Sequence, residues 1–352
     1  MQTVISIEDS EKWDNIVRSF KGYDVYYLSG YVKAFQIHGD GEPVLFYYET
    51  EDMRAINAVM KRDISHNINF ASKLNEEEYF DLITPYGYGG YIIEGNINDS
   101  NIGLLNTAYS AYCIENNIIS EYVRFHPILN NKEKMTSIYH IVDVGKTISI
   151  DLTSPELIWN NFSSKNRNMI RKAQKSGVRV YWGRSPELFE HFIEMYKSTM
   201  LKNAADEYYY FERPFFNSIL YDLKNCSLIF YAMFNNEIIA MSIILFTNQK
   251  MHYHLSASNR LYQKLAPTNL LLYEAACWGF ANNFKTFHLG GGLHSREDSL
   301  YKFKRAFNKN SVNIYAIGKK CFNQDIYNWL VSIRSKEKDF DDKTSFFPLY
   351  RA

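Results

Sequence analysis

SLIFYAMFNNEIIAMSIILFTNQKMHYHLS, residues 227–256, decides the fold. Ser227–Phe234, Glu237–Thr247 and Lys250–Ser256 are rich in β-branched and aromatic residues, and Asn235-Asn236 and Asn248-Gln249 separate them with residues that suit tight turns. This pattern predicts a three-stranded antiparallel meander. Toward the amino end, Phe211–Leu223 and Pro186–Leu201 have the spacing of amphipathic helices, and Val178–Trp182 alternates as a short strand. A helix over about Lys165–Ser176 stops at Gly177, where the chain can turn left-handed. Ahead of it, Ser154-Pro155-Glu156 supplies the cap, the first-turn proline and the dipole-compensating acid of another helix, after a strand at Thr147–Leu152. Toward the carboxyl end, Pro267 opens a helix to about Asn282, Thr286–Leu289 is a strand, and Gly290-Gly291-Gly292 breaks the chain. Glu297–Phe307 is then helical, and Val312–Ile317 is a last strand.

Apart from an additional helix near its start, this order resembles the acetyltransferase-like fold called GNAT. The amino half repeats the idea less clearly. It has a strand near Val25–Tyr27, a helix near Tyr31–Ile37, strands near Val44–Tyr48 and Arg54–Met60, a helix over about Asn101–Glu115 and a strand at Ile118–Phe125. The expectation is an α/β (α+β) chain of two tandem GNAT-like lobes, residues 1–145 and 146–352. Each lobe should be a mixed central sheet flanked by helices, the first lobe being a degenerate copy.

Composition narrows the function by exclusion. Lys+Arg and Asp+Glu each number 39, so the formal charge is zero and bulk charge selects no partner. A hydrophobic content of 46% with 17 Gly and 8 Pro rules out a disordered or collagenous chain. Cys113, Cys226, Cys277 and Cys321 form no CxxC pair, so neither a zinc site nor a disulfide framework is indicated and no metal is expected. The amino terminus carries acids at Glu8 and Asp9 and no basic stretch leading into an apolar one, and the longest apolar run, Ile238–Phe246, is too short to span a bilayer. A cytoplasmic location is therefore expected.

Four stretches carry candidate chemistry. Thr84-Pro85-Tyr86-Gly87-Tyr88-Gly89-Gly90 has the glycines of either a plain turn or a loop that approaches a ligand closely, with Tyr86 and Tyr88 as binding residues in the second case. Arg124 and His126, at the end of a strand, either face a cleft or form a satisfied pair at the core edge. Between Asn160 and Pro186 there are basic residues at 165, 167, 171, 172, 175, 179 and 184 and no acid. Arg167, Arg171 and Lys175 recur every fourth residue and so share one helix stripe, which suits phosphate groups, although a solvated face is the ordinary reason for such a run. Last, Phe287–Phe307 runs from a strand end through a glycine turn into a helix, the place where open α/β sheets gather ligands. On a helical wheel started at Leu300, Phe303 falls at about 300°, Phe307 at about 340° and Lys304 at about 40°, so Lys304 borders the apolar stripe. It either snorkels to solvent or directs a positive charge into a partly desolvated cleft.

Together, KNRNMIRKAQKSGVRV (165–180), LAPTNLLLYEAACWGF (265–280), FHLGGG (287–292) and DSLYKFKRAF (298–307) resemble the Fem-type aminoacyltransferases and their wider FemAB-like relatives. TPYGYGG (84–90) and YVRFHP (122–127) are similar to the same group. The resemblance implies transfer of an aminoacyl group from aminoacyl-tRNA to an amine of a peptidoglycan precursor, with no metal and no tightly bound cofactor. It also implies that Phe303-Lys304 matches the family's late Phe-Lys motif, the lysine steadying the developing oxyanion, with Tyr301 close by on the substrate side. The long coiled-coil insertion of the founding members is missing here. That leaves acyl-CoA open as the alternative donor, for a GNAT N-acetyltransferase acting on an amino sugar in surface-polysaccharide synthesis. Against coenzyme A, the usual pyrophosphate loop is replaced by Gln263-Lys264-Leu265-Ala266-Pro267-Thr268, which has no glycine and a proline without an N–H. Asp298, His254 or a carboxylate of the substrate is the candidate base. The expected partners are a nucleotide- or lipid-linked sugar or peptide precursor, the acceptor end of a tRNA, and a membrane surface met peripherally.

Overall fold

The computed structural model describes residues 2–311 and 313–352. The chain divides into two compact units, Met1–Val144 with Tyr315–Ala352, and Gly145–Ile314.

The first unit starts with β1 (Gln2–Ser6), α1 (Ser10–Ser19), α2 (Ser29–His38), β2 (Glu42–Glu49) and β3 (Met53–Asp63). It continues through β4 (Phe80–Ile83), β5 (Ile92–Gly95), α3 (Asp99–Glu115) and β6 (Ile118–Arg124). Val25–Tyr27, expected as a strand, is a turn of 3-10 helix, because the Asp24 carboxylate accepts from the Val25 N–H and tightens the chain there. In this part of the sheet β4 pairs with β6 in parallel, and α3 supplies the crossover that a parallel pair requires.

The second unit begins within β7 (His140–Asp151) and follows with α4 (Pro155–Asn161), α5 (Ser164–Lys175), β8 (Arg179–Gly183), α6 (Pro186–Asn203) and α7 (Arg213–Asp222). The meander follows as β9 (Ser227–Phe234), β10 (Glu237–Thr247) and β11 (Lys250–Ser258), then α8 (Pro267–Ala281), β12 (Thr286–Gly290) and α9 (Ser299–Arg305). The strand order is β7-β12-β11-β10-β9-β8, antiparallel throughout except for β11 with β12. Here α8 is the crossover, and its buried residues Leu270, Leu271, Leu272, Ala275 and Ala276 join Ile148, Ile150, Ile170, Phe230 and Phe287 in one core. The helix has apolar residues on all sides because the sheet lies on one side of it and α4 and α5 on the other.

The last segment departs from the expected lobe 146–352. β13 (Asn313–Cys321) hydrogen-bonds to β6 from Ile317↔Arg124 to Cys321↔Ser120, and α10 (Gln324–Arg334) follows it, so Tyr315–Ala352 belongs to the first unit. Val312, the expected first residue of this strand, lies outside the described residues. Beside the β6 pairing, a small core and a buried carboxylate tie the segment down. Leu330 and Tyr350 pack with Ile64, Phe70 and Ile119. The fully buried Asp81 accepts from Arg62 Nε at 2.7 Å, from the Tyr350 hydroxyl at 3.1 Å and from Arg351 Nε. With strands on both sides of its parallel pair, the first unit reads β1-β2-β3-β4-β6-β13, with β5 paired to β3. Among the described residues no helix is long and apolar enough to cross a membrane.

Burial alone would raise the Asp81 pKa, but the Arg351 and Arg62 charges outweigh it and hold the carboxyl below its ordinary value. A depressed carboxyl pKa contributes stability that is complete above the unfolded value of about 3.9 and disappears as pH falls through the folded one. Replacing Asp81 with Ala should cost roughly 3–5 kcal/mol at neutral pH, because two arginines lose a buried partner. In urea titrations the gap between wild type and Asp81→Asn should close as pH drops below about 4. A constant gap would refute the ionic account.

Candidate functional site

The parallel strands β11 and β12 pair at three positions only, Lys250↔Thr286, Met251↔Phe287 and His252↔His288. Beyond them both strands lose register with their other neighbours. On β11, Ile243 faces Leu255 and Ile244 faces Tyr253, so His254 is the extra residue of a bulge. On β12 the pairing with β7 skips between His288 and Gly290. The pair therefore parts just where the glycine turn begins, and α9 follows that turn.

Lys304 occupies this split. It is 9% exposed, its Nζ donates to the Gly291 carbonyl at 2.7 Å, and the same nitrogen lies 5.9 Å from the Tyr253 ring centre. One side chain thus touches the chain just after β12 and an aromatic ring of β11. Burial lowers its pKa to about 8, against the opposing pull of Asp298. At pH 7 roughly nine lysines in ten still carry the charge. An ammonium has three donors, and with one engaged by Gly291, two remain for an oxyanion.

Asp298 acts as a strut. It caps α9, its Oδ1 accepting from Tyr301 N at 2.8 Å, while its Oδ2 accepts from Leu293 N at 3.1 Å. The Tyr301 N–H bond leads the interactions that hold its pKa below the usual carboxylate value, so it binds a proton poorly. A Cβ at residue 292 would lie 2.0 Å from the Arg296 carbonyl and 2.4 Å from Asp298 Oδ1, so glycine there lets the turn close on the cap. Asp298 thereby ties the glycine turn, which supplies the Gly291 carbonyl, to the helix that supplies Lys304. His254 is also a weak base in the free protein: burial, with His252 as a second cause, depresses its pKa to about 3. Tyr301 is buried in the core and its hydroxyl has no hydrogen-bond partner among the described residues. Phe303 packs partly against that core, with Phe307 edge-on at 5.3 Å.

The cationic stripe is rearranged. Arg167 turns back to the end of α4, donating to the Phe162 carbonyl at 2.7 Å, so it serves the helix junction and not the open surface. Arg171 lies over Trp159 at 5.1 Å and is exposed, as is Lys175. The fourfold spacing had not allowed for backbone carbonyls at the end of the preceding helix.

In the first unit, the 84–90 loop is packed among aromatic rings. Tyr86 stacks on Phe35 at 5.6 Å, and its carbonyl accepts from the Tyr31 hydroxyl at 2.6 Å. Tyr88 lies edge-on to Tyr26 and Tyr315, and burial raises its pKa. A Cβ at Gly87 would come within 2.6 Å of the Tyr26 ring. Arg124, half-buried, donates to the Thr84 carbonyl at 3.2 Å and lies over Tyr122. His126 faces no cleft. It is fully buried, its Nδ1 accepts from the Ile128 and Leu129 N–H groups, and this leaves Nε2–H to donate to Asp24 at 3.0 Å.

Residues 160–305 match the family described as the acetyltransferase (GNAT) domain, a span that runs from the end of α4 to one residue past Lys304. Residues 160–305 thus carry a GNAT-type acetyltransferase domain, and the chain has the fold of FemX. The FemX crystal structure is similar over 94% of this chain and 99% of its own, with a TM-score of 0.66 at 13% identity. The carboxyl-terminal domain of a putative lysylphosphatidylglycerol synthetase from Agrobacterium fabrum is similar over 89% and 92%, at 0.57 and 10%. A tandem GNAT protein of the clavulanic acid pathway is similar over 92% and 98%, at 0.50 and 8%. These identities establish likeness of fold. No curated relative matches the sequence.

For this acyltransferase, Lys304→Met should lower turnover by roughly 100- to 1000-fold while leaving the melting temperature unchanged or higher, since a buried charge is removed. Near-normal turnover would take Lys304 out of the chemistry. In Asp298→Asn the amide can still cap α9, but burial then acts on Lys304 unopposed. The alkaline fall in kcat/KM, expected near pH 8 for the wild type, should shift to lower pH. An unmoved profile would contradict the coupling of the two residues.

Proposed function

We propose that the protein is an N-acyltransferase that moves an aminoacyl group from aminoacyl-tRNA, or another acyl group, to an amine of a phosphorylated cell-envelope precursor such as a muropeptide or amino sugar. The observation that carries this reading is the desolvated Lys304 ammonium at the split between β11 and β12. The acceptor amine attacks the donor carbonyl, a C–N bond forms, and Lys304 with backbone N–H groups near the β11 bulge steadies the tetrahedral oxyanion. Collapse breaks the C–O bond of an ester, or the C–S bond of a thioester, and the amine proton ends on the leaving group. No covalent enzyme intermediate is needed. With Asp298 engaged as a cap and His254 depressed, a carboxylate of the acceptor itself is the best remaining proton carrier. A fold shared with FemX and with a putative lysylphosphatidylglycerol synthetase, whose name joins an amino acid to a phospholipid, supports an aminoacyl group and an envelope acceptor. Tyr86, Tyr88 and Arg124 offer rings and a cation for a sugar nucleotide in the first unit, and Arg171 and Lys175 offer exposed charge for phosphate in the second.

The second reading, an acyl-CoA N-acetyltransferase acting on an amino sugar, is favoured by the acetyltransferase family description. The start of α8 weighs against it. Ala266 takes the left-handed conformation at φ 53° that a glycine would adopt without strain, and Pro267 removes the first N–H that a pyrophosphate would meet. Thermal shift measurements separate the two. A uridine diphosphate sugar should raise the melting temperature by a few degrees, as expected for ligand well above its Kd, while coenzyme A and acetyl-CoA should leave it unchanged. A saturable shift with coenzyme A alone would replace the first reading with the second.

A further inference from the structure

Three hydroxyls meet on the sheet face beside Lys304. Ser242 of β10 stands opposite Ser256 of β11, and Ile244 stands opposite Tyr253. Residues three apart on a regular strand point to opposite faces, but the extra residue at His254 lets Tyr253 and Ser256 share one. Ile244 belongs to the core that α8 covers, so Ser242, two residues away, lies on that same face.

Ser242 is fully buried and its hydroxyl has no hydrogen-bond partner among the described residues. It lies near the Tyr253 hydroxyl without a formed bond: burial raises the pKa of that phenol, and Ser256 and then Ser242 draw it back. Tyr253 and Ser256 are half-buried, so a ligand can reach the group through them. The Tyr253 ring centre is also 5.9 Å from Lys304 Nζ. One residue thus borders both the ammonium and the serines.

A hydroxyl both donates and accepts, so three together suit a group that does the same, an amine or another hydroxyl. A buried hydroxyl left unmatched costs binding, and a site built around one rejects an analogue lacking the matching group far more strongly than an apolar site rejects a missing methylene. The Lys304 charge disfavours a second cation beside it, so an amine is held uncharged. Building on the acyl-transfer reading, we propose that Tyr253, Ser256 and Ser242 form the subsite for the transferred acyl group and select one whose second carbon carries an amine or a hydroxyl. The carbonyl oxygen meets Lys304, and because Tyr253 borders both Lys304 and the serines, the substituent they take lies on the carbon next to the carbonyl. Tyr253 and Ser256 contact the substituent, and Ser242 orients the phenol from beneath.

Alanyl, lactyl and propionyl groups test this subsite, since they differ only in an amine, a hydroxyl or a hydrogen on the second carbon. Each is offered to the full chain as a tRNA ester and as a coenzyme A thioester, with a uridine diphosphate muropeptide and glucosamine as acceptors, and each rate is divided by the uncatalysed rate with hydroxylamine. The alanyl or the lactyl group should exceed the propionyl group by at least about 100-fold, and the faster of the two tells amine from hydroxyl. Ser242→Ala and Tyr253→Phe should each reduce that ratio by roughly tenfold. Ser242→Ala should melt at the wild-type temperature or above, because it removes an unmatched buried hydroxyl, and in Tyr253→Phe, which keeps its ring, Lys304 should still titrate near pH 8. Three equal rates would overturn the subsite while leaving acyl transfer standing, as would variants with the wild-type ratio. Transfer of none of the three groups would remove the acyl-transfer reading, and the subsite with it.

Discussion

A single buried ammonium organises the second unit. Lys304 enters the space where two parallel strands separate, and its bond to the Gly291 carbonyl replaces part of the hydration it has lost. Such a charge is tolerated only where the surroundings are fixed. The bulge at His254 turns β11 away, the glycine turn brings Gly291 within reach, and the Asp298 cap sets where α9 begins. Loosening any of these would leave a desolvated cation without its acceptor, at a cost of several kcal/mol.

This arrangement explains why the same residue can be structural and chemical. The lysine is 9% exposed, and burial brings its pKa to about 8, still high enough to keep the charge at neutral pH. In such surroundings a hydrogen bond to a developing oxyanion is worth far more than in water, and the donor needs little reorganisation to make it. The first unit is braced by a different route: packed tyrosines and the Asp24–His126 pair hold its glycine loop.

Much of the fold was legible because its signals are local. The asparagine turns of 235–236 and 248–249 adopt positive φ, and the meander forms between them. Ser154 and Ser185 cap their helices, and Gly177 turns left-handed after α5. What the sequence left hidden depends on distant partners. β13 pairs with β6 through hydrogen bonds between residues some two hundred positions apart, which periodicity does not register. Lys304 was legible from its place at the border of an apolar stripe. Tyr253 was not, because a bulge one residue away sets its position. His126 and Asp298 carry the residue types of catalytic groups, yet backbone N–H groups claim both, a use that spacing along the chain does not reveal. Arg167 left its stripe for the same kind of reason, drawn by free carbonyls at the end of α4.

The ionisation of Lys304 is the most direct test of this account. In a protein whose lysines carry carbon-13 at the ε position, the resonance that disappears in Lys304→Met should titrate near pH 8, well below the ordinary lysine value of about 10.4. A midpoint above about 10 for that resonance would mean a solvated side chain, and the split between β11 and β12 would then hold no desolvated charge.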